Sequence, residues 1–209
     1  MTSLYEQRKE FFNQRAAGWL DNHYKNPDTD RHDLYAERLG SIVSFLNLDP
    51  DSRILDIGCG AGVLVPYLLE QLSSAGRLIE MDFSDQMIKA NQERHTDERI
   101  RFICCDAAQM EFDDQSLDAV ICFAAFPHFS DPEQALKRMS KALKPKGRLV
   151  IAHLMSSSQL AAHHHSHTPV SQDRLPEKET LFQWITGSGF NIETFKDEPG
   201  LYLVAAVKP

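Results

Sequence analysis

Residues 54–64 read Ile-Leu-Asp-Ile-Gly-Cys-Gly-Ala-Gly-Val-Leu, and this stretch restricts the fold more than any other. Ile54, Leu55 and Ile57 make an apolar run too short for a helix and suited to a buried strand. Gly58, Gly60 and Gly62 follow, and an apolar run with helical character continues through Leu68. Strand, glycine turn and helix make a βα unit whose turn lets a ligand approach the backbone and the helix N-terminus. The spacing is G-x-G-x-G, whereas the nicotinamide pattern G-x-G-x-x-G wants glycine where Val63 stands. Asp56 lies two residues before the first glycine, where a carboxylate would repel a pyrophosphate and suit a cationic ligand group.

The rest of the chain extends this unit. Arg77–Asp82 reads as the next strand, Ser84 as an N-cap, and 85–94 as a helix. Residues 99–104, 117–123 and 148–154 read as three further strands. Between the last two, a helix opens at Asp131-Pro132-Glu133, runs to Leu143, and is stopped by Lys144-Pro145-Lys146-Gly147. A helix over 176–188 and strands over 191–195 and 201–207 close the chain. At the other end, 3–24 and 31–47 read as helices ahead of the first strand. Asp82 falls at the end of the second strand, roughly 20 residues beyond the glycine turn, where one carboxylate can accept from two neighbouring ribose hydroxyls.

With 209 residues, 42% hydrophobic and 25% charged, the chain can bury one domain's core. A net charge of −8 offers no basic patch for phosphates, so no nucleic-acid partner is expected. The N-terminal MTSLYEQRKEFF lacks the apolar core of a secretory signal, and the longest apolar runs are too short to span a bilayer. Cys59, Cys104, Cys105 and Cys122 show no C-x-x-C spacing and read as reduced, buried thiols of a cytoplasmic protein.

An acidic residue before G-x-G-x-G, with Asp82 and Asp106 at later strand ends, resembles the class I S-adenosylmethionine (SAM)-dependent methyltransferases. The opening FFNQRAAGWLDNH resembles small-molecule methyltransferases of the ubiquinone/menaquinone type. The resemblance implies an α/β, Rossmann-like, seven-stranded, mostly parallel sheet with an antiparallel last strand and helices on both faces. It also implies an N-terminal helical cap (1–48) ahead of a SAM-binding domain (49–209). SAM is then the cofactor. Asp56, Gly58, Cys59 and Gly60 would pack around its methionine part, and Asp82 would hold the ribose. Phe83 and Met87 would lie against the adenine, Asp106 and the Ala107 backbone N–H would bond the adenine edge, and Phe123 would border the same site. Trp19, Tyr24 and Phe126 are the expected acceptor-binding residues, for a small-molecule acceptor; a homodimer is admitted.

Ligands of open α/β sheets sit beyond the C-terminal strand ends. His128 follows the fourth strand and His153 ends the fifth, so these are the candidate bases for an acceptor that keeps a proton at neutral pH. Either histidine also reads as a group that only shapes the pocket. The internal run His163-His164-His165-Ser166-His167 would, if helical, put His163 and His167 at i, i+4, a spacing that can hold a divalent metal such as zinc. It reads equally as a solvated loop. Two rival functions therefore stand beside methyl transfer: SAM binding without catalysis, and a metal-dependent reaction using the histidine cluster.

Overall fold

A computed structural model describes residues 3–164, 170–171 and 173–209. Helix α1 (Leu4–Asn13) opens on a capping box: Ser3 Oγ accepts from the Glu6 N–H at 3.2 Å while Glu6 accepts from the Ser3 N–H at 3.0 Å. The helix expected over 3–24 is broken. A 3₁₀ turn (Ala16–Gly18) separates α1 from the short α2 (Trp19–His23), with Gly18, a poor helix former, at the junction. Helix α3 (Ala36–Ser44) starts later than expected, because residues 26–33 fold on themselves through Asn26, Thr29 and Asp33.

Strands β1 (Arg53–Ile57), β2 (Arg77–Asp82), β3 (Ile100–Cys104), β4 (Leu117–Phe123) and β5 (Leu143–His153) alternate with α4 (Val65–Glu70), α5 (Asp85–Arg94) and α6 (Pro132–Ala142). Helix α7 (Ser157–His164), helix α8 (Lys178–Gly187) and the hairpin β6 (Asn191–Glu198) and β7 (Leu201–Val207) complete the described chain. Strand β5 begins earlier than the sequence suggests. Its pairing with β4 jumps from Leu117↔Leu143 to Ala119↔Arg148, so the Lys-Pro-Lys-Gly segment is an irregularity inside the strand rather than a linker before it.

The seven strands lie in the order β3-β2-β1-β4-β5-β7-β6, and β7 alone runs against its neighbours. Alternation along the strands divides the core. Ile54 and Leu78 face a cluster with Leu20, Leu39, Ile42, Val65 and Leu68, whereas Leu55, Ile57, Ile79 and Met81 face Leu136, Met139, Leu181 and Ile185. Helices therefore cover both faces. The strand order reverses between β1 and β4, and the crevice beyond their C-terminal ends is where such sheets bind ligands. Cys59 and Cys122 are buried as expected. Cys104 is exposed instead, because β3 is an edge strand, and Cys105 is partly exposed.

Candidate active site

A cavity, partly open to solvent, lies at this switch point. Its floor is the glycine turn, whose Gly58 and Cys59 N–H groups both donate to the Met81 carbonyl, at 2.7 and 3.0 Å. Gly58 has φ +74°, and a Cβ there would stand 2.2 Å from the Ala125 Cβ on the loop after β4. Gly62 has φ +84° and lets the Asn91 side chain of α5 pack directly on the turn. Glycine at these positions is a matter of space as well as of conformation.

Three carboxyl groups stand around the turn on one sheet face. Asp56 and Glu80 are directly opposed across β1 and β2, and Asp82 is two residues further along the same strand face. They are 1%, 0% and 6% exposed. Burial, then the neighbouring Glu80 and Asp82, raise the Asp56 carboxyl well above its ordinary range. Neither Asp56 oxygen has a hydrogen-bond partner among the described residues. An orphaned, buried carboxyl on the wall of a cavity is complementary to a cationic amine. Burial also pushes Glu80 up to about 8, even though Asn91 Nδ2 donates to it at 2.7 Å.

Asp82 is held differently. The Gly60 N–H donates to one oxygen at 2.9 Å and the Ser84 N–H to the other at 2.8 Å. Burial outweighs these bonds and raises the group to about 6. A carboxylate offers about four lone-pair sites, so capacity remains for a neighbouring hydroxyl. Ser84 caps α5 through the Met87 N–H at 3.1 Å, and its hydroxyl donates to Asn13 of α1 at 2.6 Å. Asp106 is fixed by the Ser130 hydroxyl and the Ala108 N–H.

Every expected cofactor residue lines this cavity: Asp56, Gly58, Cys59, Gly60, Asp82, Phe83, Met87, Asp106, Ala107 and Phe123. The set fits SAM. It presents an orphaned acid for an ammonium, a hydrogen-bonded acid with spare capacity for a hydroxyl, and Phe83 and Met87 for an aromatic base. Trp19, Tyr24 and His128 also line the cavity. Phe126 is buried in the core against Phe129, which does line it. His153 lies outside the lining, and its Nδ1 accepts from the Met155 N–H at 3.0 Å. His163 sits on α7, whereas His167 lies outside the described residues, as does the pairing proposed for them. Among the described residues no three His, Cys, Asp or Glu side chains group as metal ligands.

Asp173 and Arg8 join the site unannounced by any motif. Asp173, preceding α8, has one oxygen 2.7 Å from His128 Nδ1, while Arg8 of α1 bonds the other. Burial opposes its ionisation, but the bonds to His128 and Arg8 prevail and hold the carboxyl below its ordinary value. Phe12 also reaches the cavity and meets the His128 ring edge-on at 5.0 Å.

Comparison with known proteins agrees with the geometry. The methyltransferase domain family matches residues 55–151. The chain is 28% identical over 183 residues to a demethylmenaquinone methyltransferase of Renibacterium salmoninarum, covering 76% of this chain and 75% of that one. It is 30% identical over 139 residues to a malonyl-[acyl-carrier protein] O-methyltransferase of Acetivibrio thermocellus, covering 64% of this chain and 48% of that one. In fold it is similar to the geranyl diphosphate C-methyltransferase of Streptomyces coelicolor A3(2), with a TM-score of 0.79 at 15% identity over 100% of this chain and 99% of that one. Sheet order, glycine turn, acidic ring and sequence relatives agree: residues 55–151 match the methyltransferase domain family, and the chain is similar in sequence and fold to SAM-dependent methyltransferases.

Proposed function

We propose that the protein methylates a small, uncharged, hydroxylated acceptor of the quinol type, with His128 as the base. The observation carrying this reading is the composition of the cavity wall. Phe12, Trp19, Tyr24 and Phe129 supply flat apolar surface, His128 is the one imidazole, and no residue lining the cavity is lysine or arginine among the described residues. With the cavity's acids facing the cofactor, the lining offers no cationic side chain among the described residues to pair an anionic acceptor. That disfavours a free carboxylate of the malonyl kind or a diphosphate, and favours a neutral aromatic ring. The demethylmenaquinone methyltransferase relative points the same way.

When bound, SAM supplies an electrophilic methyl group on a sulfonium. The chain's own work is to align the acceptor, exclude water and take a proton. The aromatic walls do the first two, and positioning provides most of the acceleration in such displacements. A phenolic hydroxyl keeps its proton at neutral pH, so removing it raises electron density on the acceptor. A histidine is the side chain suited to that step.

Two measurements test the reading. Calorimetric titration with S-adenosylhomocysteine should show one-to-one binding, weakened by about 1–3 kcal/mol in Asp82→Ala, the cost of leaving buried polar groups unpaired. Unchanged affinity in that variant would move the ribose site elsewhere. Incubation with SAM and either reduced demethylmenaquinone or malonyl-acyl carrier protein should methylate the quinol alone; turnover of the malonyl thioester alone would overturn the acceptor class.

A further inference from the structure

Asp173 is an unusual residue to bury. Its side chain is 1% exposed, and it sits on neither the glycine turn nor a strand end that the cofactor needs. Carboxylates are rarely buried unless paired, and a buried ion pair is weak as a source of stability. Each of its oxygens is engaged. Oδ2 lies 2.7 Å from His128 Nδ1, and Oδ1 is bonded by the Arg8 guanidinium. The partners are 45 and 165 residues away in sequence, so three separate segments converge on one carboxylate. His128 is itself mostly buried at 12% exposure, lines the cavity, and has its ring braced by Phe12, four residues along α1 from Arg8.

We propose that Asp173 is the positioning residue of this enzyme: clamped by Arg8, it fixes the His128 imidazole with Nδ1–H toward the carboxylate and turns Nε2 into the base for an O–H or N–H acceptor. The inference rests on the reading of His128 as the base. Engagement of one ring nitrogen by a carboxylate sets the tautomer and places proton-accepting capacity on the other. In the step itself the acceptor's O–H or N–H bond breaks and its electron pair stays on the acceptor atom. The proton forms a new bond to Nε2 and leaves to solvent after methyl transfer. The Asp173 carboxylate stabilises the transient imidazolium without taking its proton. Arg8 belongs to α1, which also lines the cavity through Phe12, packed on Phe83, and accepts from the Ser84 hydroxyl through Asn13. The same helix that lines the cavity therefore completes the base.

The test uses the full chain loaded with S-adenosylhomocysteine. Nitrogen NMR of the imidazoles, with His128 assigned through His128→Gln, should find neutral His128 carrying its proton on Nδ1. In Asp173→Ala the proton should move to Nε2, and Asp173→Glu should restore the wild-type tautomer. A proton on Nε2 in the wild type, or a tautomer unchanged in Asp173→Ala, overturns the proposal. Affinity for S-adenosylhomocysteine should stay within about twofold in each variant, showing that the cofactor site still folds. In kinetics with reduced demethylmenaquinone, Asp173→Ala should lower kcat by about ten- to a hundredfold with the KM for SAM little changed. The His128→Gln/Asp173→Ala double variant should be no slower than His128→Gln, because Asp173 acts through the imidazole. Losses that multiply would show an independent structural role and overturn the proposal. Should the wild type leave this quinol unmethylated, the acceptor reading fails, and the tautomer result alone decides the role of Asp173.

Discussion

Gly58→Ala is expected to abolish binding of S-adenosylhomocysteine and to lower the unfolding free energy substantially. The new Cβ would lie 2.2 Å from the Ala125 Cβ, well inside van der Waals contact, and Ala125 is a short side chain with no rotamer in which to retreat. Relief must therefore come from the backbone. Either the turn lifts away from β2, breaking the paired bonds to the Met81 carbonyl, or the loop after β4 moves and carries His128 with it. Overpacking of this kind costs about 1–3 kcal/mol, and holding a non-glycine residue at φ +74° adds about 1–2 kcal/mol. Denaturant melts of the two proteins and calorimetric titration check both halves of the prediction. Retained affinity would mean that the turn can be rebuilt without disturbing the cofactor site. The same substitution at Gly40, where a Cβ would meet nothing within 4 Å, is the matched control and should leave binding untouched.

The contrast between Gly58 and Asp173 explains what could be read from the sequence. The glycine turn, Asp82 and the Ser84 cap are set by local chemistry. Their roles depend on neighbours a few residues away, and β2 and α5 fall where the sequence places them. The same holds for α6, which begins at Pro132 behind the Asp131 cap. Expectation and structure part where tertiary contacts decide. The strand pattern around Cys104 suits a buried thiol, but β3 lies at the sheet edge, and that placement follows from strand order alone. Asp173 and Arg8 carry no spacing signal at all, because their partners are remote and the segment before Asp173 follows no repeat or cap rule. Glu80 shows the intermediate case. Its place on the Asp82 strand face is legible in the sequence, but its direct opposition to Asp56 appears only with the β1–β2 register.

That opposition predicts an unusual pH dependence of stability. Glu80 is fully buried beside two other acids, and burial, the largest influence, raises it from 4.5 to about 8 in the folded protein. A folded-state value above the unfolded one means that the native state binds the extra proton. Stability from this group is thus complete below the unfolded value of 4.5 and is lost as the pH climbs toward about 8. Asp82, raised from 3.8 to about 6, and Asp56, raised in the same direction, act with the same sign over the lower part of that window. Because a tenfold difference in proton affinity between the folded and unfolded states corresponds to about 1.4 kcal/mol, the ligand-free protein should lose on the order of 3 kcal/mol between about pH 5 and about pH 8.5. Glu80→Gln should flatten this slope. Its amide oxygen can accept from Asn91 Nδ2 as Glu80 does, and its NH₂ can donate to the Asp56 carboxyl opposite, which has no hydrogen-bond partner among the described residues. Urea titrations across that range check the result: the variant should gain most over wild type at the alkaline end, while equal slopes for the two proteins would show that Glu80 is ionised in the native state throughout.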